Sequence, residues 1–470
     1  MPEPPRRPGP SPEYASTLRY LWGLKRLGTR PGPELTALLL RELGDPHRSF
    51  SSVHVTGSKG KGSVSALIAS VFQAAGRRTG LYTSPHLLSY RERAQVDGRP
   101  ATPAEVVRGI ARVRRAMDAL ERGSELFREA TYFEVTTAWA FDHFARRHAD
   151  SAAIEVGIGG RLDATNVLQA PVTVITSLEL EHTELLGSTL REIAREKSGI
   201  FHRDAWAVTG VTEGEGLEEV RRQAAKLGVP LWVLGKEVRV EHRESALEGQ
   251  TLDVVTPEAT HRGLSLPLLG TFQARNAAVA VAALDLFQKV TGRTLPERAY
   301  QEGFGAVRWP GRLERLSSAP LFYLDATHTP ESAKEVAASL RELHPDREAA
   351  SSVLLYSSLS DKRVGENLAA LRPVAETVAV FPLASERAAD PELLRREARA
   401  HFPRVFALPS VAEAVRWGRG LVGPRGLLLA AGGVYLAGAV LEVVRGVPHE
   451  GPDLTDPISS PRPRSRRRVP

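Results

Sequence analysis

The chain has 470 residues and no cysteine, which excludes disulfide bonds, thiolate metal sites and a cysteine nucleophile. Its hydrophobic content of 42% and charged content of 25% are ordinary for a globular protein, and its length favours two domains. The net charge of +7 includes five arginines in residues 448–470. No stripe of aromatic and basic residues accompanies them, so we expect no nucleic-acid partner.

Both ends of the chain are predicted to be tails. Residues 1–13 and 448–470 are rich in proline and poor in apolar residues, so we expect them to be disordered. The start of the chain contains no apolar core typical of a signal peptide. The most apolar late segment, residues 426–441, is shorter than the roughly 20 residues that a membrane span needs. We therefore expect no membrane partner and a cytoplasmic location.

The first elements in chain order are two helices and a strand. Residues 14–43 have helical apolar spacing, interrupted at residues 28–33 by glycine and proline. A β-branched run at residues 53–56 then enters a glycine-rich turn, Gly57-Ser58-Lys59-Gly60-Lys61-Gly62-Ser63. Apolar residues between 64 and 75 recur at helical spacing, so a helix is predicted directly after the turn.

The glycine-rich turn predicts a binding site for nucleotide phosphates. A strand, a loop and a helix N-terminus direct several backbone N–H groups to one point, where the helix dipole also favours an anion. Gly57, Gly60 and Gly62 permit the tight backbone. Lys61 supplies a positive charge, and Ser63 offers a hydroxyl to a metal or a phosphate. The full phosphate-loop motif is incomplete, because its first glycine is absent and the serine comes one residue late. A plain strand-to-helix turn is the alternative.

The rest of the first half alternates strands and helices. Buried strands are predicted at residues 152–156 and 172–176, and helices at residues 191–197 and 272–290. Period-two alternation between residues 231 and 269 predicts a β meander. Glu155 lies at the carboxyl end of a predicted strand, where a carboxylate can hold Mg²⁺ against nucleotide phosphates. Capping of the next element is the alternative for Glu155.

A second domain is predicted after a hinge at residues 309–312, where proline and glycine interrupt the pattern. Five short apolar strands follow, each ahead of a helical stretch, at residues 321–325, 353–357, 377–381, 405–408 and 427–431. Five strand–helix units predict a doubly wound parallel sheet.

Ten segments, taken in order, resemble the folylpolyglutamate synthase and dihydrofolate synthase family of the Mur ligase superfamily. They are the phosphate loop at residues 57–63, Thr83-Ser84-Pro85-His86-Leu87 with Arg91-Glu92-Arg93, Phe133-Glu134, residues 155–166, His182-Thr183-Glu184-Leu185-Leu186-Gly187, Glu196-Lys197-Ser198-Gly199-Ile200, Gln273 with Asn276-Ala277-Ala278, Pro310-Gly311-Arg312-Leu313-Glu314, residues 325–328, and Asp361-Lys362. The resemblance covers about residues 14–447. It implies an α/β fold with a P-loop Mur-ligase-type central domain at residues 14–308. A Rossmann-like C-terminal ligase domain would occupy residues 309–447.

The resemblance implies ATP-dependent amide ligation. ATP phosphorylates a carboxylate of a folate-type substrate, and the amino group of L-glutamate displaces the phosphate. The acceptor is dihydropteroate, a tetrahydrofolate polyglutamate or both. The expected partners are this acceptor and L-glutamate, and the protein is expected to be a monomer. Two alternatives remain open: a Mur-type ligase for another substrate, and a non-catalytic ATP-binding paralogue.

The resemblance also assigns roles to individual residues. The ATP-binding positions are Gly57, Ser58, Lys59, Gly60, Lys61, Gly62, Ser63, Asn276, Arg312, Asp325 and His328. The Mg²⁺ ligands are Ser84, Glu155 and His182, and the catalytic positions are Lys61, Lys197, His182 and Arg312. Lys197 matches a lysine that is carbamylated in this superfamily. The alternatives are a helix-face lysine for Lys197, a surface or capping histidine for His182 and a helix N-cap for Asn276.

Several positions depart from the family pattern. Lys59 replaces the usual asparagine of the phosphate loop. Glu179 and Glu181 stand where the family has glycine and aspartate. Phe272 replaces a histidine, and Ala326 replaces a glycine after Asp325. These departures place the fine geometry of the metal and ribose sites in question.

Overall fold

The computed structural model describes residues 11–25, 32–122 and 130–450. The backbone of these residues forms an eight-stranded, a three-stranded and a six-stranded sheet. The elements up to the middle of the chain are α1 (Pro12–Gly23), α2 (Glu34–Glu42), β1 (Ser51–Thr56), α3 (Lys61–Ala74), β2 (Thr79–Tyr82), β3 (Ala94–Val96), β4 (Arg99–Pro100), α4 (Pro103–Glu121), α5 (Tyr132–Arg146), β5 (Ser151–Glu155), β6 (Val172–Ile175), α6 (Thr183–Leu186), α7 (Leu190–Lys197), β7 (Trp206–Thr209), α8 (Gly214–Leu227) and β8 (Leu231–Val233).

The remaining elements form the meander and the second half of the molecule. They are β9 (Arg239–Ala246), β10 (Gly249–Val255), β11 (Thr260–Leu266), α9 (Thr271–Thr291), α10 (Glu297–Ala306), β12 (Glu314–Ser318), β13 (Leu321–Asp325), α11 (Pro330–Leu343), β14 (Ser352–Tyr356), α12 (Val364–Leu371), β15 (Thr377–Val380), α13 (Pro391–His401), β16 (Arg404–Ala407), α14 (Val411–Val422), β17 (Leu427–Ala431) and α15 (Val434–Arg445).

The eight-stranded sheet has the order β4-β3-β2-β5-β1-β6-β7-β8. Strand β1 lies in its interior and pairs in parallel with β5 on one side and β6 on the other. Val53 and Val55 of β1 are fully buried, as expected for a strand covered on both faces. The carboxyl ends of β1, β5 and β6 therefore meet at one edge of the sheet. The predicted strands at residues 152–156 and 172–176 are confirmed.

The meander is a separate antiparallel sheet of β9, β10 and β11. Alternate residues of β10 are buried, which is the pattern of a strand with one face on a core. Leu252 and Val254 pack in the same apolar cluster as helices α3 and α9. The predicted helix at residues 272–290 is confirmed. The predicted meander is confirmed for residues 239–266, whereas residues 231–233 form β8, which pairs in parallel with β7 in the eight-stranded sheet.

The six-stranded sheet has the order β12-β13-β17-β14-β15-β16. The five predicted strands β13 to β17 are all parallel, which confirms the doubly wound sheet. Strand β12 is an additional antiparallel edge strand beside β13. It has no clear apolar alternation, so the sequence pattern did not predict it.

The predicted tail boundaries differ from the structure. Helix α1 begins at Pro12, with the Ser11 side chain accepting a hydrogen bond from the Tyr14 amide, so the predicted tail 1–13 is too long. Residues 448–450 are placed against the N-terminal part, with the Glu450 amide donating to the Leu88 carbonyl at 2.8 Å. Residues 1–10 and 451–470 lie outside the described residues. Within the described part, every helix is too short or too polar to cross a bilayer.

Candidate active site

The phosphate loop lies between β1 and α3, at the edge where the central strands end. Gly57 and Gly60 have φ angles of +146° and +85°, which side-chain-bearing residues rarely adopt. A Cβ on Gly57 would lie 1.9 Å from Thr176 Oγ1, and one on Gly60 would lie 2.3 Å from Asn276 Oδ1. Both glycines are thus required by conformation and by close approach. The α3 N-terminus, whose dipole favours anions, opens at this loop.

Hydrogen bonds hold the loop to the segment after β6. The Ser58 amide donates to the Ser177 carbonyl at 2.8 Å, and the Lys59 amide donates to Ser177 Oγ at 2.8 Å. Lys61 Nζ donates to the Gly57 carbonyl at 2.8 Å. Ser63 Oγ accepts from Gln273 Nε2 at 3.2 Å, so its hydroxyl is engaged with helix α9.

A cleft of about 300 Å³ joins the carboxyl ends of the two large sheets. All the predicted site residues except Gly57 and Lys197 line it: Ser58, Lys59, Gly60, Lys61, Gly62, Ser63, Ser84, Glu155, His182, Asn276, Arg312, Asp325 and His328. Gly57 is the first residue of the loop, directly after β1. Lys197 is buried behind the cleft at the end of α7.

Glu155 is a buried carboxylate at the carboxyl end of β5. It accepts a hydrogen bond from the Ser84 amide at 3.0 Å. Burial raises the pKa of Glu155 to about 7, and the positive charge of Lys61 opposes this rise. A bound cation would favour the ionised form still further. Glu155 thus contacts the Ser84 amide and does not cap the element that follows it, so the capping alternative is wrong.

Ser84, Glu155 and His182 all line the cleft. Among the described residues, no group of three or more His, Asp or Glu side chains forms a complete metal site. Glu155 and the Ser84 hydroxyl are oxygen donors that suit Mg²⁺, whereas the imidazole of His182 would be an unusual ligand for this ion. This ion is commonly held by one or two carboxylates together with substrate phosphates and waters.

Three lysines surround Glu181 behind the phosphate loop. Its carboxylate lies 2.8 Å from Lys59 Nζ and 4.0 Å from Lys197 Nζ. Burial opposes its ionisation, but the charges of Lys59, Lys61 and Lys197 hold the pKa of Glu181 well below its usual range. Burial and the charge of Lys61 lower the pKa of Lys197 to about 7. Roughly half of the Lys197 amine is therefore neutral and available as a nucleophile near pH 7.

The C-terminal sheet contributes Arg312, Asp325 and His328. Asp325 ends β13, and its carboxylate accepts hydrogen bonds from the amides of Leu313 and Thr327, each at 2.7 Å. Burial raises the pKa of Asp325 to about 6, against the charge of Arg312. His328 Nε2 lies 3.1 Å from Lys59 Nζ. Arg312 lines the cleft beside them.

Asn276 lies inside helix α9, which begins at Thr271 after an N-cap at Gly270. The alternative that Asn276 is a helix N-cap is therefore wrong. Its Nδ2 donates to Gln273 Oε1 at 3.0 Å, and its amide group packs over Gly60 of the phosphate loop.

Sequence reasoning missed the wall of the cleft opposite the phosphate loop. Arg93 is buried there, with Nε donating to His86 Nδ1 at 3.0 Å and its guanidinium 5.3 Å from the centre of the Tyr132 ring. Phe133 approaches Gly157 so closely that a Cβ there would lie 2.4 Å from its ring. The available signals were the Arg91-Glu92-Arg93 and Phe133-Glu134 segments, which the resemblance includes without a role.

Comparison with known proteins identifies the family. Residues 55–284 match the model of the Mur ligase middle domain, and residues 311–434 match that of the Mur ligase glutamate ligase domain. The chain is 36% identical over 425 residues to the dihydrofolate synthase/folylpolyglutamate synthase of Mycobacterium tuberculosis, covering 86% of this chain and 87% of that protein. The chain belongs to the folylpolyglutamate and dihydrofolate synthase family of Mur ligases. It is an ATP-dependent ligase.

Two further similarities extend this result. A crystal structure of Mycobacterium tuberculosis folylpolyglutamate synthase complexed with ADP and AMPPCP matches with a TM-score of 0.84 and 36% identity, over 92% of this chain and 99% of that one. The chain is also 34% identical to a probable bifunctional folylpolyglutamate synthase/dihydropteroate synthase of Haloferax volcanii. That match covers 90% of this chain and 50% of that protein, so this chain spans about half of its length.

Proposed function

We propose that the cleft joins L-glutamate to a carboxylate of a folate-type substrate. The γ-phosphoryl group of ATP passes to a carboxylate oxygen, which gives ADP and an acyl phosphate. The glutamate amine then attacks the acyl carbon. The new C–N bond forms, the C–O bond to phosphate breaks, and the amine loses a proton.

The phosphate loop holds the triphosphate in this proposal. Residues Gly57 to Ser63 supply backbone N–H groups and the α3 N-terminus, and Lys61 supplies the mobile charge. The hydrogen bonds of Lys61 to carbonyls of its own loop support this role, because they place the ammonium group at the loop. Asn276, Asp325 and His328 border the same cleft and are proposed to contact the adenosine.

Ser84, Glu155 and His182 are proposed to hold Mg²⁺, which would neutralise the charge that develops on the phosphates. Arg312 approaches the cleft from the C-terminal sheet and is proposed to stabilise the transferred phosphoryl group. A group that belongs to the second domain completes the site only when the two domains are together.

Lys197 is proposed to be carbamylated. A carbamate forms when a neutral amine attacks carbon dioxide and loses a proton. Burial of Lys197 and its lowered pKa favour that neutral amine. Labelled bicarbonate followed by ¹³C NMR tests this role: we expect a carbamate signal in the wild type and none in Lys197→Arg. A wild-type spectrum without that signal would contradict the proposal.

We also propose a division into residues 14–308 and 309–447 and action as a monomer. Separate sheets on either side of residue 309 support the division. Sedimentation velocity tests the oligomeric state. A dimer at assay concentration would contradict the monomer.

One observation carries the reaction: a single cleft gathers Lys61, Glu155 and Arg312 from the two sheets. The test is Mg²⁺-dependent ADP formation with dihydropteroate, and separately with a reduced folate, each with and without glutamate. We expect glutamate-dependent turnover with at least one pteridine, and the better one identifies the acceptor. No stimulation by either would refute the folate assignment.

A further inference from the structure

Lys59 joins the phosphate loop to both sides of the cleft. Its ammonium group donates to Glu181 Oε2 at 2.8 Å and lies 3.1 Å from His328 Nε2. Glu181 follows β6 of the first sheet, whereas His328 follows β13 of the C-terminal sheet. The family pattern has asparagine at the position of Lys59, and a side chain that short and neutral cannot supply this charged bridge.

The backbone around Lys59 is held firmly enough to aim the side chain. Its amide donates to Ser177 Oγ at 2.8 Å, and the neighbouring Ser58 Oγ accepts from the Glu179 amide at 2.9 Å. The side chains of Lys59 and Glu181 are only 21% and 10% exposed. Their attraction is therefore less screened than that of a surface pair.

The contact also fixes the state of the His328 ring. The Lys59 ammonium can only donate, so Nε2 of His328 accepts, and Nδ1–H faces the Ala326 carbonyl at 3.2 Å. The charge of Lys59 is the largest influence holding the pKa of His328 well below its usual range. A second contact, from Thr329 Oγ1 to Glu179 Oε2 at 3.2 Å, crosses the cleft beside it.

We propose that Lys59 is an interdomain positioning residue, which bridges Glu181 and His328 and so holds the two domains closed with His328 oriented toward the cleft. This role builds on the proposed function but differs from phosphate binding, which the loop amides and Lys61 perform without it. Removing the bridge should therefore impair turnover far more than nucleotide binding.

The kinetic test compares Lys59→Met with Lys59→Arg. We expect Lys59→Met to lower kcat at least tenfold while the Kd for ATP, measured by calorimetry, rises by a smaller factor, because the phosphate loop still holds the triphosphate when Asp325 and His328 move away. Lys59→Arg keeps a cation and should retain most of kcat. Lys59→Gln replaces the methionine variant if that variant does not fold. The control is Glu342→Gln, which removes an ion pair of 2.7 Å between Arg243 of β9 and Glu342 of α11. This pair also joins the two domains but lies outside the cleft.

Domain closure can be measured directly, because the chain has no cysteine of its own. Ala225→Cys on α8 and Ala400→Cys on α13 place two dyes on exposed helical sites, one in each domain. We expect energy transfer to fall in Lys59→Met and to stay at the wild-type level in Lys59→Arg and Glu342→Gln. Unchanged transfer in Lys59→Met would overturn the proposal.

A double-mutant cycle tests whether Lys59 acts through His328. If it does, Lys59→Met combined with His328→Ala should open the domains no further than either single variant, and losses in kcat should not multiply. Fully multiplicative losses would overturn the bridge. Energy transfer is independent of substrate, so it decides the bridge even if neither pteridine supports turnover and the folate assignment fails.

Discussion

Burial shifts the pKa values of the ionisable groups at the cleft. Glu155 and Lys197 both have a pKa of about 7 because burial disfavours their charged forms, one being an acid and the other a base. Glu181 stays ionised because lysines surround it. The site therefore holds groups whose charge responds readily to an arriving polyanion or cation.

Lys61→Ala should abolish turnover. Its ammonium group is the cation that contacts the carbonyls of the phosphate loop. Loss of one group that stabilises transition-state charge commonly lowers kcat by about 10² or more. ADP formation in the presence of pteridine and glutamate measures the effect. Lys226→Ala, an exposed lysine of α8, is the matched control and should behave as the wild type. Turnover of Lys61→Ala within tenfold of wild type would contradict the phosphate role.

Arg312→Ala should lower kcat much more than it weakens ATP binding. The arginine belongs to the second domain, so an interaction made mainly in the transition state is expected. We expect a fall in kcat of about 10- to 100-fold with a small change in the Kd for ATP. Arg312→Lys preserves the charge and should recover part of kcat. Equal losses in kcat and ATP affinity would indicate simple ground-state binding.

At the scale of elements, helices α9 and α10 meet the meander through a buried polar cluster. His261 of β11 lies with Nδ1 2.8 Å from Glu297 Oε2 and Nε2 3.2 Å from both oxygens of Asp285. Tyr300 donates to Asp285 at 2.6 Å, and its ring stacks on that of His261. This cluster links the three-stranded sheet to α9 and α10, the two helices that pack on α3.

The cluster predicts a pH-dependent stability. Burial lowers the pKa of His261, but the hydrogen bonds and charges of Asp285 and Glu297 outweigh it and raise the pKa above its ordinary value. The stabilisation is fully present below about pH 6.5 and is lost as pH rises through the higher folded-state pKa. Denaturant unfolding should show His261→Gln to be destabilised more at pH 6 than at pH 9. An equal loss at both would contradict the charged cluster.

The sequence located strands with continuous apolar runs well, but it located neither the short polar strands nor the helices α4, α5 and α8. The strands with continuous apolar runs, such as β5 and β17, were located within a residue or two. Strand β2 is short, and β12 has a polar pattern, so neither stood out. The Lys59–Glu181–His328 contact was unpredictable because it joins positions 122 and 269 residues apart, which only the tertiary fold brings together.

At the scale of the molecule, the two ends of the described chain meet beside the segment of residues 83–91, which carries Ser84. Tyr14 Oη donates to Glu450 Oε2 at 2.6 Å, and Ser89 Oγ donates to the same oxygen at 2.7 Å. Arg91 Nε lies 3.6 Å from the other carboxylate oxygen. The segment after α15 therefore fastens the second domain to the first, next to the loop that carries Ser84.

Glu450→Ala should weaken this contact between the two domains and lower the stability of the fold. It leaves the buried Tyr14 hydroxyl without its acceptor, and such losses cost about 1–3 kcal/mol. Thermal unfolding measures the effect, with Glu386→Ala at an exposed site as the control. A melting temperature equal to that of the control would show that the contact does not contribute to stability.

The cleft between the sheets has a thermodynamic consequence. Under the proposed function, ATP and glutamate both bind in a cleft that is lined by residues of both domains. A ligand that draws the domains together therefore lowers the free-energy cost of their approach for the next ligand. Linkage requires this cooperation to be reciprocal: the factor by which nucleotide tightens glutamate binding equals the factor by which glutamate tightens nucleotide binding. Each substrate therefore binds more weakly to the empty cleft than to a cleft that already holds the other substrate.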